Sequence, residues 1–532
     1  MSRNRREQQQ VYARDPGLYG TSRFADEVHL LRRGFGPGGR IKLGYTRPTK
    51  AGRGATEIAY NGERSVLFLA PNRLSKGASY LIPNSLLYPG NLIPVDPRGE
   101  QTAATARYRE AALGHVVGVY DAFDAICSAI GRTPCRINFM DGLDPNSPTF
   151  FDEAYDLADA IVIPEAHGSR FWGDEARMLI CAIIMAVKAD PREAVKRHLG
   201  RVRDILNMPW PQLRAYVGGE FADDPATGKP QLARPGMLQS QNEYVRAAAG
   251  RILSKPERQM GDVLSTAHQN THFLESGQVR ASLEASDIDL AKELASGKLS
   301  LYIVLPPDRL RTHSRLSRMV LTLVIAIVTR LKPAGCPTLL QIDEGAAVGR
   351  LDRIFDLYGV LAGSGIQVMM VLQSLTQAQE LHGHQWETLV SSAGAIVAFG
   401  TADSFTAEYL SKLSGVNTSE SLTYEAVEAR QSLFTGPDYL SIQDRVASRP
   451  LLRPDEFLTM APTMAWIKPA STYPILGYKA PYFLDSRFRD SRGRPLFDLP
   501  PKYRGRTLPR PIDFTSPKID LGAALAPYLT VG

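Results

Sequence analysis

Residues 339 to 342, Leu-Leu-Gln-Ile, form a short apolar run that stops at two carboxylates, Asp343 and Glu344. A run of this length and polarity reads as a buried strand, and in a parallel sheet the ligand crevice lies just past the C-terminal ends of the strands. Adjacent acids at that place suit nucleotide hydrolysis, with Asp343 holding the water shell of a Mg²⁺ ion and Glu344 polarising a water for in-line attack on a γ-phosphate. This is a Walker B pattern. The same string would also be produced by any buried strand with an acidic cap, so it has to be judged with the rest of the chain.

A phosphate-binding loop is the partner it requires. Val66 to Leu69 reads as a second buried strand, Ala70 to Ser75 as a tight loop, and Lys76 as the first turn of a helix. Strand, loop, lysine and helix N-terminus are the parts that cradle β- and γ-phosphates. Against the pattern G-x-x-x-x-G-K-[ST], Ala70 stands at the first glycine, Ser75 at the second, and Gly77 where a Mg²⁺-binding hydroxyl normally sits. Pro71, Asn72, Arg73 and Leu74 fill the loop, and Ala78 follows it. A lone lysine after a strand is also an ordinary solvated helix start.

Two more strands support the nucleotide reading. Leu92 to Val95 ends in Asp96-Pro-Arg-Gly-Glu100, and Ile366 to Leu372 ends in Gln373, whose amide could sense a γ-phosphate or merely cap the strand. Strand signals at 66, 92, 115, 299, 339, 366 and 395 interleave with helices and predict a mostly parallel α/β sheet.

Taken in order, these segments resemble one family, the TraG-type coupling proteins of conjugation and type IV secretion. Tyr19-Gly-Thr-Ser-Arg-Phe-Ala25 is similar to the family's opening motif, and Ala70 to Gly77 to its phosphate loop. Ile82-Pro-Asn84 and Val95 to Glu100 are similar to the helix and strand that follow. Phe171-Trp-Gly-Asp-Glu-Ala-Arg177 resembles its tryptophan helix, and Leu301 to Asp308 the strand before its long apolar helix. Asp343 to Leu351, Gln373 to Gln377, Thr406 to Leu413 and Arg449 to Glu456 complete the series. The resemblance implies a hexameric motor with a RecA-like P-loop domain, interrupted by an all-α domain, that uses ATP and Mg²⁺. Its implied partners are single-stranded DNA with a relaxase, or protein effectors, together with the inner-membrane components of the secretion channel. An arginine offered in trans is also implied, and Arg350 and Arg353 are candidates.

Two departures stand out. Family members usually begin with membrane helices, but here the longest apolar run, Met319 to Val328, has ten residues, and a spanning helix needs about 20. A soluble or peripheral protein at the cytoplasmic face of the inner membrane is therefore expected. The other departure is in the loop, where Ser75 carries a Cβ in a position that calls for positive φ, at about 1 to 2 kcal/mol. Glycine after the lysine is common in the family. With Lys76, Asp343, Glu344 and Gln373 in place, a slow or conditionally active ATPase is favoured over an inert pseudoenzyme.

Charge is distributed unevenly. Residues 1 to 53 carry twelve Lys and Arg against four acids and residues 486 to 532 nine against four, so with a total of +7 the middle of the chain is net negative. Basic ends suit contact with phosphates of nucleic acid or lipid, or simple solubilisation. Four cysteines without metal-ligand spacing suit a reducing compartment. We expect a basic lead-in over 1–60, a nucleotide domain over 61–175 and 299–485, an all-α insertion over 176–298, and a Pro-rich basic tail over 486–532. Three classes of function fit: a coupling motor, a catalytically degenerate recruitment platform on the same fold, and a P-loop translocase or helicase unrelated to secretion.

Overall fold

The computed structural model describes residues 20–47, 54–163, 170–224, 229–331, 335–345, 363–426, 440–516 and 519–529. Tyr19, the basic residues 1 to 18, and both Arg350 and Arg353 lie outside them. The strands are β1 (Ile41–Tyr45), β2 (Glu57–Tyr60), β3 (Val66–Leu69), β4 (Leu92–Val95), β5 (Val116–Tyr120), β6 (Glu220–Asp223), β7 (Pro230–Arg234), β8 (Leu299–Ile303), β9 (Thr338–Ile342), β10 (Ile366–Leu372), β11 (Ala395–Ala398), β12 (Val416–Ala426), β13 (Leu440–Pro450), β14 (Met464–Pro469) and β15 (Ile475–Tyr478). One eleven-stranded sheet runs in the order β2-β1-β15-β14-β11-β3-β10-β9-β4-β8-β5. From β11 to β5 every pairing is parallel, and from β11 outward through β14 to β2 every pairing is antiparallel.

Both faces of the parallel part are covered, which is why its strands read as continuous apolar runs rather than alternating ones. Leu67, Leu69, Ile93, Val95, Leu340, Ile342, Val368 and Met370 point into one core. Val66, Phe68, Leu92, Leu339, Met369 and Val371 point into the other. The side-chain period of two thus divides each strand between two cores.

The antiparallel extension was not anticipated. Residues read as a basic lead-in supply β1 and β2, and residues ahead of the tail supply β14 and β15. This edge is locked by a buried ionic group: Lys42 Nζ donates to Asp485 Oδ2 at 2.9 Å, and Arg487 Nη2 reaches Asp485 Oδ2 at 2.8 Å and Glu57 Oε2 at 2.6 Å. Burial drives the Asp485 carboxyl upward, but Lys42 and Arg487 outweigh it and hold the group below the usual carboxylate range. The Pro-rich basic tail includes a helix, Leu521–Leu529, packed against Tyr45, Ala55 and Phe514.

Helices Phe150–Ile161, Arg170–Ala189, Leu199–Leu206, Trp210–Gly218, Glu243–Leu253 and Glu257–Thr271 pack on one another, and Phe150–Ile161 joins them to the long helix Leu310–Leu331. The helical run begins upstream of the expected residue 176, and the hairpin β6–β7 interrupts it. Arg177 of the tryptophan-bearing helix is buried and pairs with Asp159 and Asp174, which fixes that helix to its predecessor. A second hairpin, β12–β13, is a two-stranded ribbon with eleven paired positions from Val416↔Pro450 to Ala426↔Leu440. Among the described residues no helix is long and apolar enough to cross a membrane.

Candidate nucleotide site

Strand order creates the site. In the sheet β10 lies between β3 and β9, with Leu372 beside Leu69 and Met370 beside Ile342. The C-terminal ends of the three strands therefore deliver the loop after β3, Gln373, and the acidic pair after β9 to one edge. Strands lie about 4.8 Å apart, so the loop and the acids face each other across roughly 10 Å. A lysine side chain can span that gap.

It does so here. Lys76 Nζ donates to the Asp343 carbonyl at 3.0 Å and lies 3.1 Å from Asp343 Oδ1 and 3.5 Å from Glu344 Oε2. Gln373 Nε2 donates to Glu344 Oε1 at 3.0 Å, and Gln377 Nε2 to the same oxygen at 3.4 Å. The backbone N–H of Gln373 is held by Gln377 Oε1 at 2.9 Å. The sequence-predicted Lys76, Asp343, Glu344 and Gln373 thus form one connected group. Burial raises the Asp343 carboxyl from its ordinary value, with Lys76 opposing and Glu344 adding to the rise.

The loop has two unusual residues. Arg73 and Ser75 have φ of +65° and +62°, the left-handed region that side chains with a Cβ resist. Ala70 is anchored by its N–H on the Leu372 carbonyl at 2.8 Å, whereas Asn72 and Arg73 are exposed and Pro71, Leu74 and Ala78 half-buried. A Cβ added at Gly77 would meet nothing within 4 Å, so that glycine is not a packing requirement. The chain then winds into a π-helical turn, Gly77–Leu81, before the α-helix Ile82–Leu87. Such wide turns recur at functional sites.

Three features escaped the sequence reading. Gln341, a polar residue in the interior of β9, is fully buried and accepts from Ser85 Oγ at 2.9 Å, tying the acidic strand to the helix after the loop. Arg109 is also fully buried; it caps that helix by donating to the carbonyls of Ser85, Tyr88 and Gly90 at 2.5, 2.8 and 3.0 Å, as a cation at a helix C-terminus does. Asp96, at the end of β4, takes hydrogen bonds from Thr102 N and Oγ1 at 2.7 and 2.8 Å. Burial pushes it up to about 7, with the charge of Asp343 adding to the shift. A polar residue within an apolar strand was the available signal for Gln341.

Beyond Gln373 the group continues outward. Helix Leu375–His382 begins there, with Leu375 N donating to Thr406 Oγ1 at 2.9 Å and Thr376 Oγ1 to Asp403 Oδ2 at 2.8 Å. Asp403 caps helix Ser404–Ser414, which leads through Gly415 directly into β12.

Comparison with known proteins decides the family. Residues 38–499 match the family described as type IV secretory system conjugative DNA transfer. The chain belongs to this family. Among its relatives, the conjugal transfer protein TraG of Escherichia coli is 25% identical over 482 residues, covering 83% of this chain and 71% of TraG. Protein VirD4 of Agrobacterium fabrum is 25% identical over 446 residues, covering 82% and 62%. The solved structure of the bacterial conjugative coupling protein TrwB, in an unbound form, aligns with a TM-score of 0.61 at 15% identity over 86% of this chain and 92% of TrwB. TrwB with a non-hydrolysable ATP analogue aligns at 0.60 and 14%, over 90% and 96%. This coupling protein therefore has the P-loop α/β fold expected from its sequence.

Proposed function

We propose that this coupling protein is a Mg²⁺-dependent ATPase that recruits single-stranded DNA with a relaxase, or protein effectors, and delivers them to a type IV secretion channel. The reading is carried by Lys76 bridging from the loop to Asp343 and Glu344, with Gln373 bound to the same Glu344. TrwB, similar in fold, has been solved with an ATP analogue and with ADP and Mg²⁺.

The residues fit such a ligand. On binding nucleotide, Lys76 exchanges the carboxylates for the β- and γ-phosphates, and the loop amides complete the anion nest. Asp343 would hold Mg²⁺ through water, and the ion when bound supplies charge neutralisation on the phosphate oxygens. Released from Lys76, Glu344 stays oriented by Gln373 and Gln377 and accepts the proton of the attacking water. Gln373, bonded to that base, reports the state of the γ-position to helix Leu375–His382. A homo-hexamer with an arginine supplied by the neighbour, docked at the cytoplasmic face of the inner membrane, belongs to the same proposal, as does the division into a nucleotide domain and an all-α insertion.

ATP hydrolysis measured with and without single-stranded DNA tests the reading. Turnover stimulated by DNA supports the motor. Retained cargo binding without turnover supports instead the recruitment platform, which the non-glycine residues at both positive-φ positions favour.

A further inference from the structure

Lys479 is 1% exposed, and among the described residues no carboxylate pairs with it. It follows β15 and is fixed by its own N–H, which donates to the Thr463 carbonyl at 2.9 Å. Its Nζ lies 4.3 Å from the centroid of the Phe399 ring and donates to the carbonyl of Leu74 at 3.1 Å. Burying an ammonium without an acid is unfavourable. A side chain kept there against that penalty calls for a role, and the atom it holds suggests one.

Leu74 sits between Arg73 and Ser75, the two loop residues with left-handed backbone. The Leu74 carbonyl and the Ser75 N–H belong to one planar trans peptide and point in opposite directions. Anchoring the oxygen on a buried lysine turns the Ser75 N–H to the opposite side of that peptide, away from Lys479, and leaves it for a phosphate oxygen to accept. Anchoring also fixes the plane about which φ of Ser75 is defined. Left-handed residues other than glycine persist only where their surroundings over-determine them. We propose that Lys479 is a positioning residue of the phosphate loop, an internal brace that replaces the conformational freedom of the glycine missing at Ser75 and holds the loop amides in their phosphate-binding arrangement.

The role rests on the nucleotide-binding reading of the loop and adds to it a residue from the far end of the sequence, on the antiparallel extension of the sheet. It also gives Phe399 a part, since its ring face partly replaces the hydration the ammonium has lost. Burial moves the lysine from its usual range down to about 7, as expected where no acid compensates.

A double-mutant cycle on the full chain tests the brace, using a fluorescent ATP analogue and four proteins: wild type, Lys479→Met, Ser75→Gly, and the two combined. Lys479→Met is expected to weaken binding about tenfold in the serine background, and by about twofold or less in the Ser75→Gly background, where the loop needs no brace. A merely structural lysine would give the same loss in both backgrounds, and that result, or no loss in either, overturns the proposal. Should Lys479→Met fail to fold, Lys479→Gln is read through the same cycle. Absence of binding by wild type and by Ser75→Gly would sink the nucleotide reading itself, which is distinguishable from a cycle that is additive in proteins that bind.

Discussion

The two lips of the proposed nucleotide site are built differently. The acidic lip consists of regular strand ends: β9 and β10 run parallel in register, and Asp343, Glu344 and Gln373 are simply the residues that follow them. The loop lip has two non-glycine residues with left-handed backbone and a buried lysine from another part of the chain attached to its peptide plane. A regular backbone places chemistry through residue type alone. An irregular one needs the right residues and something to hold them, so the loop lip is where this coupling protein can lose affinity without losing a single reacting group.

The largest expected effect would break the division of labour if it failed. Glu344→Gln removes the proposed proton acceptor from the regular lip, and turnover should fall about 10²-fold or more while nucleotide affinity is kept. Single-turnover kinetics beside an equilibrium titration measure both. Lys76→Ala acts on the other lip and should lower affinity about tenfold or more; equal losses of binding in both variants would erase the distinction. Ser75→Gly sharpens it: relief of about 1 kcal/mol of backbone strain should tighten nucleotide several-fold, as a fluorescent-analogue titration will show.

The smallest effect is on stability. Lys479 titrates at about 7 when folded, below the ordinary lysine value, so between about 7 and 10.5 the unfolded chain binds the extra proton and stability rises with pH. Lys479→Met should flatten that rise, by up to about 1.4 kcal/mol per pH unit. Denaturant midpoints at pH 7, 8 and 9 for both proteins check it, and an unchanged slope would mean that Lys479 keeps its proton in the folded chain and that burial does not lower its pKa.

What could be read from sequence follows the same line. Val66–Leu69, Leu339–Ile342 and Ile366–Leu372 are continuous apolar runs because both sheet faces are covered; the last two end in side chains whose chemistry is plain from their type, and the first leads through the loop to Lys76. The oddity of Ser75 was also visible, since a known pattern demands glycine there. Lys479 was not, because a lysine just ahead of a Pro-rich, basic stretch reads as a solvated strand end, and its partner is a carbonyl, which leaves no mark in sequence. Asp96 was noticed as part of a strand-end motif but not as a fully buried neighbour of Asp343, since that adjacency depends on β4 pairing with β9. The strands β1, β2, β14 and β15 were missed for a related reason. Lys42 and Glu57 lie inside two of them as buried charges, and their compensation by Asp485 and Arg487 is known only once the edge has formed.

The ribbon β12–β13 is where these contacts lead mechanically. Glu344 is bonded to Gln373 and Gln377 at the start of one helix, that helix is bonded through Leu375 and Thr376 to the cap of the next, and the second helix ends at the foot of the ribbon. Eleven residues of strand extend about 37 Å. A pivot of about five degrees at the foot would therefore sweep the far end of the paired region through roughly 3 Å. A displacement near a γ-phosphate too small to matter locally becomes, at that radius, the step of a lever.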